Sequence, residues 1–209
     1  MKYAKEIPKG DQKLIEILIT DGWTKIKEPH GLLSAILASL PFMIFAPLLT
    51  YLVLSPFEYA IHPIKQIMEH GFSLTITLWE ILGYLIILYV FVILHELLHA
   101  IMIPHFYTSN KTWWGLTVQG GFVCTTEKLS KSRYYIISLA PFLFLSILFP
   151  FFLGLIGLLN PFLFCLALIN AMGSSVDIMN MMLIAFQVPR GSTIINTGFE
   201  TFYKEEPFQ

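Results

Sequence analysis

The chain is short of charge where a water-soluble protein would need it. Of its 13 basic and 14 acidic side chains, only Glu80, Glu96 and Asp177 fall within four long apolar stretches, at about 31–57, 74–104, 134–158 and 160–189. A soluble globule could not give segments of that length a charged face, so the pattern excludes a soluble domain. The near-balanced net charge of −1 and the 13% content of charged residues exclude a disordered chain and a nucleic-acid binder. There are two cysteines, Cys124 in a polar connector and Cys165 in an apolar segment, which leaves neither a disulfide framework nor a CxxC zinc site. The first thirty residues mix six lysines with five acids, unlike a secretory signal, and are expected to be retained.

What is present is apolar and aromatic. Hydrophobic residues make up 56% and aromatics 15% of 209 residues, with a mean hydropathy of +0.68. The four stretches predict an all-α membrane protein with four transmembrane helices. Pro41 and Pro47 should kink the first, and the 31 residues of the second would run about 46 Å as a helix, against a hydrocarbon core of roughly 30 Å, so it must tilt or protrude. The third opens on Arg133-Tyr134-Tyr135 as an interfacial anchor, and the short turn at Asn160-Pro161 makes the third and fourth antiparallel. Six lysines precede the first span, Lys65 lies in the first loop, four basic residues lie in the second loop, and Arg190 and Lys204 follow the last span. Twelve against one places both termini in the cytoplasm of a multi-pass cell-membrane protein. The expected division is a cytoplasmic segment 1–30, a membrane domain 31–189 and a cytoplasmic tail 190–209.

The connector 105–133 reads differently. Its runs 112–118 and 122–126 are rich in β-branched and aromatic residues, and Gly120-Gly121 between them suits a tight turn, which predicts a small cytoplasmic β-hairpin over about 112–126 with Trp113 and Trp114 near the headgroups. A short amphipathic helix is expected at 12–19.

Near the cytoplasmic end of the second span stands His95-Glu96-Leu97-Leu98-His99. Residues i and i+4 share a helix face, so both imidazoles can reach one metal ion while Glu96 stands beside them as a base for water. Three protein ligands would leave the fourth position of a zinc ion open. With six histidines and eleven glutamates in the chain, chance gives roughly 0.01 such matches. An acid inside a span also costs on the order of 3 kcal/mol to insert, which function must justify. The competing readings are bis-histidine haem ligation and a proton relay.

A third ligand must come from elsewhere. Asp177 lies on a stripe of small or polar residues, Asn170, Gly173, Ser174, Asp177 and Asn180, that forms one helical face. It sits about 18 Å from the inner end of the fourth span and His99 about 8 Å from Pro104, so the two can meet. His105 is the alternative, six residues after His99 as in metzincins, though Met102 stands where those have glycine. Asn170 or Asn180 would donate to an oxyanion. Glu80, about 22 Å along the helix from His95, is expected to cap or anchor the outer half of its span.

HELLH in a span, the hairpin after it, Leu139-Ala140-Pro141-Phe142 in the next span and Asp177 in the last resemble the core of the site-2 protease family of intramembrane zinc proteases. The chain is closer still to a family of small bacterial membrane proteins described as putative zincin peptidases. The resemblance covers about 80–187 and implies zinc, with His95, His99 and Asp177 as ligands and Glu96 as base. Two features depart from site-2 proteases: Ile178 replaces the glycine after the aspartate, and Asn170-Ala171-Met172-Gly173 replaces an Asn-x-x-Pro stretch. The expected function is a membrane-embedded zinc metalloprotease acting on membrane-protein or peptide substrates near the cytoplasmic face, in contact with the lipid bilayer. The alternatives are a catalytically silent metal-binding scaffold and a membrane protein that handles metal ions or protons. The sequence specifies neither a substrate nor an oligomeric state.

Overall fold

The computed structural model describes residues 1–5, 12–70, 77–117, 120–198 and 200–205. From the N-terminus come β1 (Lys2–Tyr3), α1 (Gln12–Thr20), β2 (Thr24–Lys25), α2 (Leu32–Leu54), α3 (Glu58–His70) and α4 (Leu78–Met102). Three short strands follow, β3 (Thr112–Thr117), β4 (Gly120–Thr125) and β5 (Leu129–Ser130). A continuous helical run is then made of α5 (Lys131–Pro141), a π-helical segment (Phe142–Leu148) and α6 (Phe149–Leu155). The chain ends with α7 (Pro161–Gly173), α8 (Ser175–Gln187), β6 (Thr193–Asn196) and β7 (Thr201–Lys204).

Among the described residues, three helices are long and apolar enough to cross a membrane: Leu33–Leu54, Leu78–Met102 and Lys131–Leu155. The α7–α8 pair makes a fourth if it is counted as one bent span. Local chemistry explains several ends. Thr77 and Glu80 form a capping box at the start of α4: the Thr77 N–H and hydroxyl both donate to Glu80 Oε2 at 2.8 Å, and the Glu80 N–H donates back to Thr77 Oγ1 at 3.3 Å. Glu80 is therefore a cap, and the expected residues 74–76 of this span lie outside the described ones. Asn160 caps α7 by accepting from the Leu163 N–H at 2.9 Å, with Pro161 in the first helical position.

The expected single span 160–189 is interrupted at Ser174. There the Ser174 N–H and hydroxyl both donate to the Asn170 carbonyl at 2.9 Å. A hydroxyl that bonds back to a carbonyl one turn earlier competes with the helical ladder.

The expectation of an all-α fold with one hairpin falls short. The described residues also form two small sheets, of order β1-β3-β4 and β2-β7-β6-β5. In the first, β3 and β4 pair antiparallel from Thr112↔Thr125 to Thr117↔Gly120, and β1 joins β3 in parallel. Gly120 and Gly121 thus open β4 rather than making the turn, and the tip at 118–119 lies outside the described residues. The second sheet gathers pieces from the N-terminal segment, the residues before the third span and the C-terminal tail, each too short to signal a strand alone. Helix α3 occupies a connector for which no element was expected.

The chain divides into two compact units. One comprises Met1–Leu40, Glu96–Ala140 and Val176–Gln209 and contains both sheets. Its apolar clusters include Ile26, Ile184, Val188 and Ile194, and separately Leu18, Ile195 and Phe202 under α1. The other comprises Pro41–His95 and Pro141–Ser175 and packs Leu54, Ala60, Ile61, Leu159, Phe164 and Ala167 together.

Candidate metal centre

Helix α4 carries the HELLH residues in its last two turns without interruption. One helical turn therefore separates His95 from His99 on a shared face. His99 is buried, and its Nδ1–H donates to the Ile137 main-chain carbonyl at 2.8 Å. Its Nε2 stands 3.4 Å from Asp177 Oδ2. Asp177 occupies the first turn of α8, where unpaired N–H groups and the helix dipole favour a carboxylate.

His95 is held by a side chain instead. Its Nδ1 is 2.8 Å from Asn170 Oδ1. Asn170 is buried, and its Nδ2 donates to the Pro141 carbonyl at 3.1 Å and to Ser146 Oγ at 2.8 Å. An amide whose two N–H groups are engaged in this way presents its oxygen to the imidazole, so Nδ1 is the protonated nitrogen of His95. Each imidazole thus has its Nδ1 fixed by an outer partner, which leaves Nε2 as the nitrogen that would bind a metal.

His95, His99 and Asp177 each offer one ligand atom, and these atoms lie within 4.8 Å of one another. Two neutral imidazoles and one carboxylate match the donor set of an open zinc site, so the residues fit the ion. His105 is not in this cluster. It is exposed in the turn after α4, at a left-handed φ of 54°, where its carbonyl accepts from the N–H groups of Thr108 and Ser109. Asn180 is half-buried one turn beyond Asp177 on α8.

Glu96 projects from α4 beside the two histidines and meets the hairpin. A Cβ at Gly121 would come within 2.4 Å of Glu96 Cγ and 3.3 Å of Oε1, so the backbone of β4 passes directly against this side chain. The sequence reading assigned Gly121 only a place in the hairpin turn, and attached no role to Ser146 or to the Ile137 carbonyl. A lone hydroxyl inside the apolar run Phe142–Leu148 was a legible signal for Ser146. A main-chain carbonyl carries no sequence signal at all.

A protein-family model described as "putative zincin peptidase" matches residues 88–193, just over half of the chain. No curated protein and no solved structure matches it.

Proposed function

The chain belongs to the family described as putative zincin peptidases, and from that membership we propose that it is a membrane-embedded zinc metallopeptidase, similar to site-2 proteases, that hydrolyses peptide bonds of membrane-associated substrates near the cytoplasmic face. The observation that carries this reading is the convergence of His95, His99 and Asp177, with both Nδ1 atoms turned away onto fixed acceptors. The apolar helices support a membrane location, and the excess of Lys and Arg in alternate connectors supports the cytoplasmic side for both termini.

A zinc ion bound by these three residues would polarise the scissile carbonyl and acidify the attacking water. Glu96 takes the proton of that water and passes it to the leaving amine, a role suited to a carboxylate held by the adjacent strand. Asn170 spends its amide protons on Pro141 and Ser146, which leaves Asn180 as the candidate donor to the oxyanion. An extended substrate segment would add to β4, because β1 already covers the far side of β3.

Glu96→Gln tests the reading. Loss of a general base is expected to slow cleavage by about a hundred- to ten-thousand-fold, with zinc retained. The measurement pairs metal analysis of purified protein with comparative membrane proteomics of cells carrying wild-type or variant protein, in which an uncleaved substrate should accumulate. Wild-type protein without zinc, or unchanged proteomes with zinc retained, would refute it. The second outcome would favour a silent metal-binding scaffold.

A further inference from the structure

Ser146 is fully buried and is the only hydroxyl in the π-helical segment Phe142–Leu148. Two adjoining polar groups of this segment, the Pro141 carbonyl at its start and Ser146 Oγ, accept the two N–H groups of one amide, Asn170 Nδ2. The π-helical winding explains how they converge. In a π-turn, residue i+5 stands over carbonyl i, so Ser146 lies above Pro141; in an α-helix residue i+4, Leu145, would take that place. The segment ends just before Pro150, whose ring would clash with the Ser146 carbonyl in a regular α-helix, so the local sequence itself favours the wider turn.

We infer that Ser146 is a positioning residue for the metal ligand His95, acting through the Asn170 amide. A carbonyl can only accept, so Pro141 requires an N–H from Asn170, and Ser146 takes the second one. Asn170 Oδ1 is then fixed towards His95, where it accepts the Nδ1–H and keeps Nε2 deprotonated for the metal. Flipping the amide would set its oxygen against the Pro141 carbonyl inside an apolar segment, where unpaired polar groups are costly. Removing the Ser146 hydroxyl leaves one N–H of Asn170 without an acceptor and loosens this orientation. The inference rests on the proposed metal centre, but its readout is metal affinity rather than proteolysis.

The test uses full-length protein in lipid nanodiscs, with zinc affinity measured by chelator competition. Ser146→Ala is expected to bind zinc about ten- to a hundred-fold more weakly, the range seen when outer partners of metal ligands are lost. Leu145→Ala removes a larger, purely apolar side chain from the same segment and should leave zinc affinity unchanged, even where it lowers thermal stability. In metal-free protein, ¹⁵N-histidine chemical shifts should report a single Nδ1–H tautomer for His95 in the wild type and a tautomer mixture in Ser146→Ala. Wild-type affinity and a single tautomer in Ser146→Ala overturn the inference, and so does equal weakening by Leu145→Ala. Wild-type protein that binds no zinc overturns both this inference and the proposed function. Zinc binding weakened by Ser146→Ala alone, in a protein whose Glu96→Gln variant changes no cleavage, removes the function and leaves the positioning role standing.

Discussion

His95 and His99 sit one turn apart on the same helix, yet their surroundings are built from different materials. The acceptor that fixes His95 is a neutral side chain, the Asn170 amide, itself held by the Pro141 carbonyl and the Ser146 hydroxyl. Around His99 the fixed partner is the Ile137 main-chain carbonyl, and a carboxylate faces the opposite nitrogen. A main-chain acceptor survives any substitution at its own residue, whereas a side-chain acceptor can be deleted. The two histidines should therefore fail in different ways: His95 through loss of a side-chain acceptor, His99 through loss of the carboxylate that faces it.

The largest effect should come from the charged side. Asp177→Ala removes the only carboxylate in the ligand cluster and leaves two imidazoles, so zinc affinity should drop beyond the hundred-fold expected for an outer partner. His105→Ala, in an exposed turn away from the cluster, should leave metal content unchanged. Metal analysis after desalting decides between them, and loss of zinc in His105→Ala alone would sink the assignment. Ile137→Val is a useful third arm, because its carbonyl persists and zinc should stay bound.

The same contrast explains what the sequence could reveal. HELLH is a local pattern with fixed spacing, and Asp177 shows itself as an acid stranded in an apolar run, so both were legible. Asn170 was visible as a polar residue on the same stripe, but its orientation depends on Pro141 and Ser146, which lie 29 and 24 residues away in the chain. The apolar segments were legible because hydropathy is a property of composition. The interruption at Ser174 was not, because it turns on one hydroxyl bonding back to Asn170. The second sheet was missed for another reason: a two-residue strand such as Thr24–Lys25 acquires its identity only from the β7 residues Phe202 and Tyr203 opposite it.

Gly121 offers a smaller perturbation that bypasses both histidines. A methyl group there would press on Glu96 Cγ, which belongs to a flexible side chain, so the strand can persist while the carboxylate moves. Gly121→Ala should retain zinc and lower the turnover number by about ten- to a hundred-fold, since displacing a reacting group by an ångström costs on that order. The assay uses whichever protein accumulates with Glu96→Gln. Turnover equal to wild type would show that Glu96 does not depend on β4 for its position, and zinc loss would show that the hairpin supports the ligands instead.

The smallest expected effect lies at Glu28, in the same compact unit as His99. Its carboxylate accepts from the Thr201 N–H at 2.7 Å and from the Thr201 hydroxyl at 3.1 Å. Burial nevertheless raises its pKa above the ordinary 4.5, outweighing those hydrogen bonds and the attraction of Lys25, while Glu200 adds to the rise. The folded protein thus holds this proton more tightly than the unfolded chain does. Its contribution to stability is fully present below pH 4.5 and is lost as pH rises through the raised value. Glu28→Gln keeps an amide oxygen for the Thr201 N–H and removes the titration, so it should flatten the fall in thermal midpoint over that window and leave the variant slightly more stable at neutral pH. Thermal unfolding of both proteins across the acid-to-neutral range reads this directly. Parallel curves would mean that Glu28 titrates alike in the folded and unfolded chains.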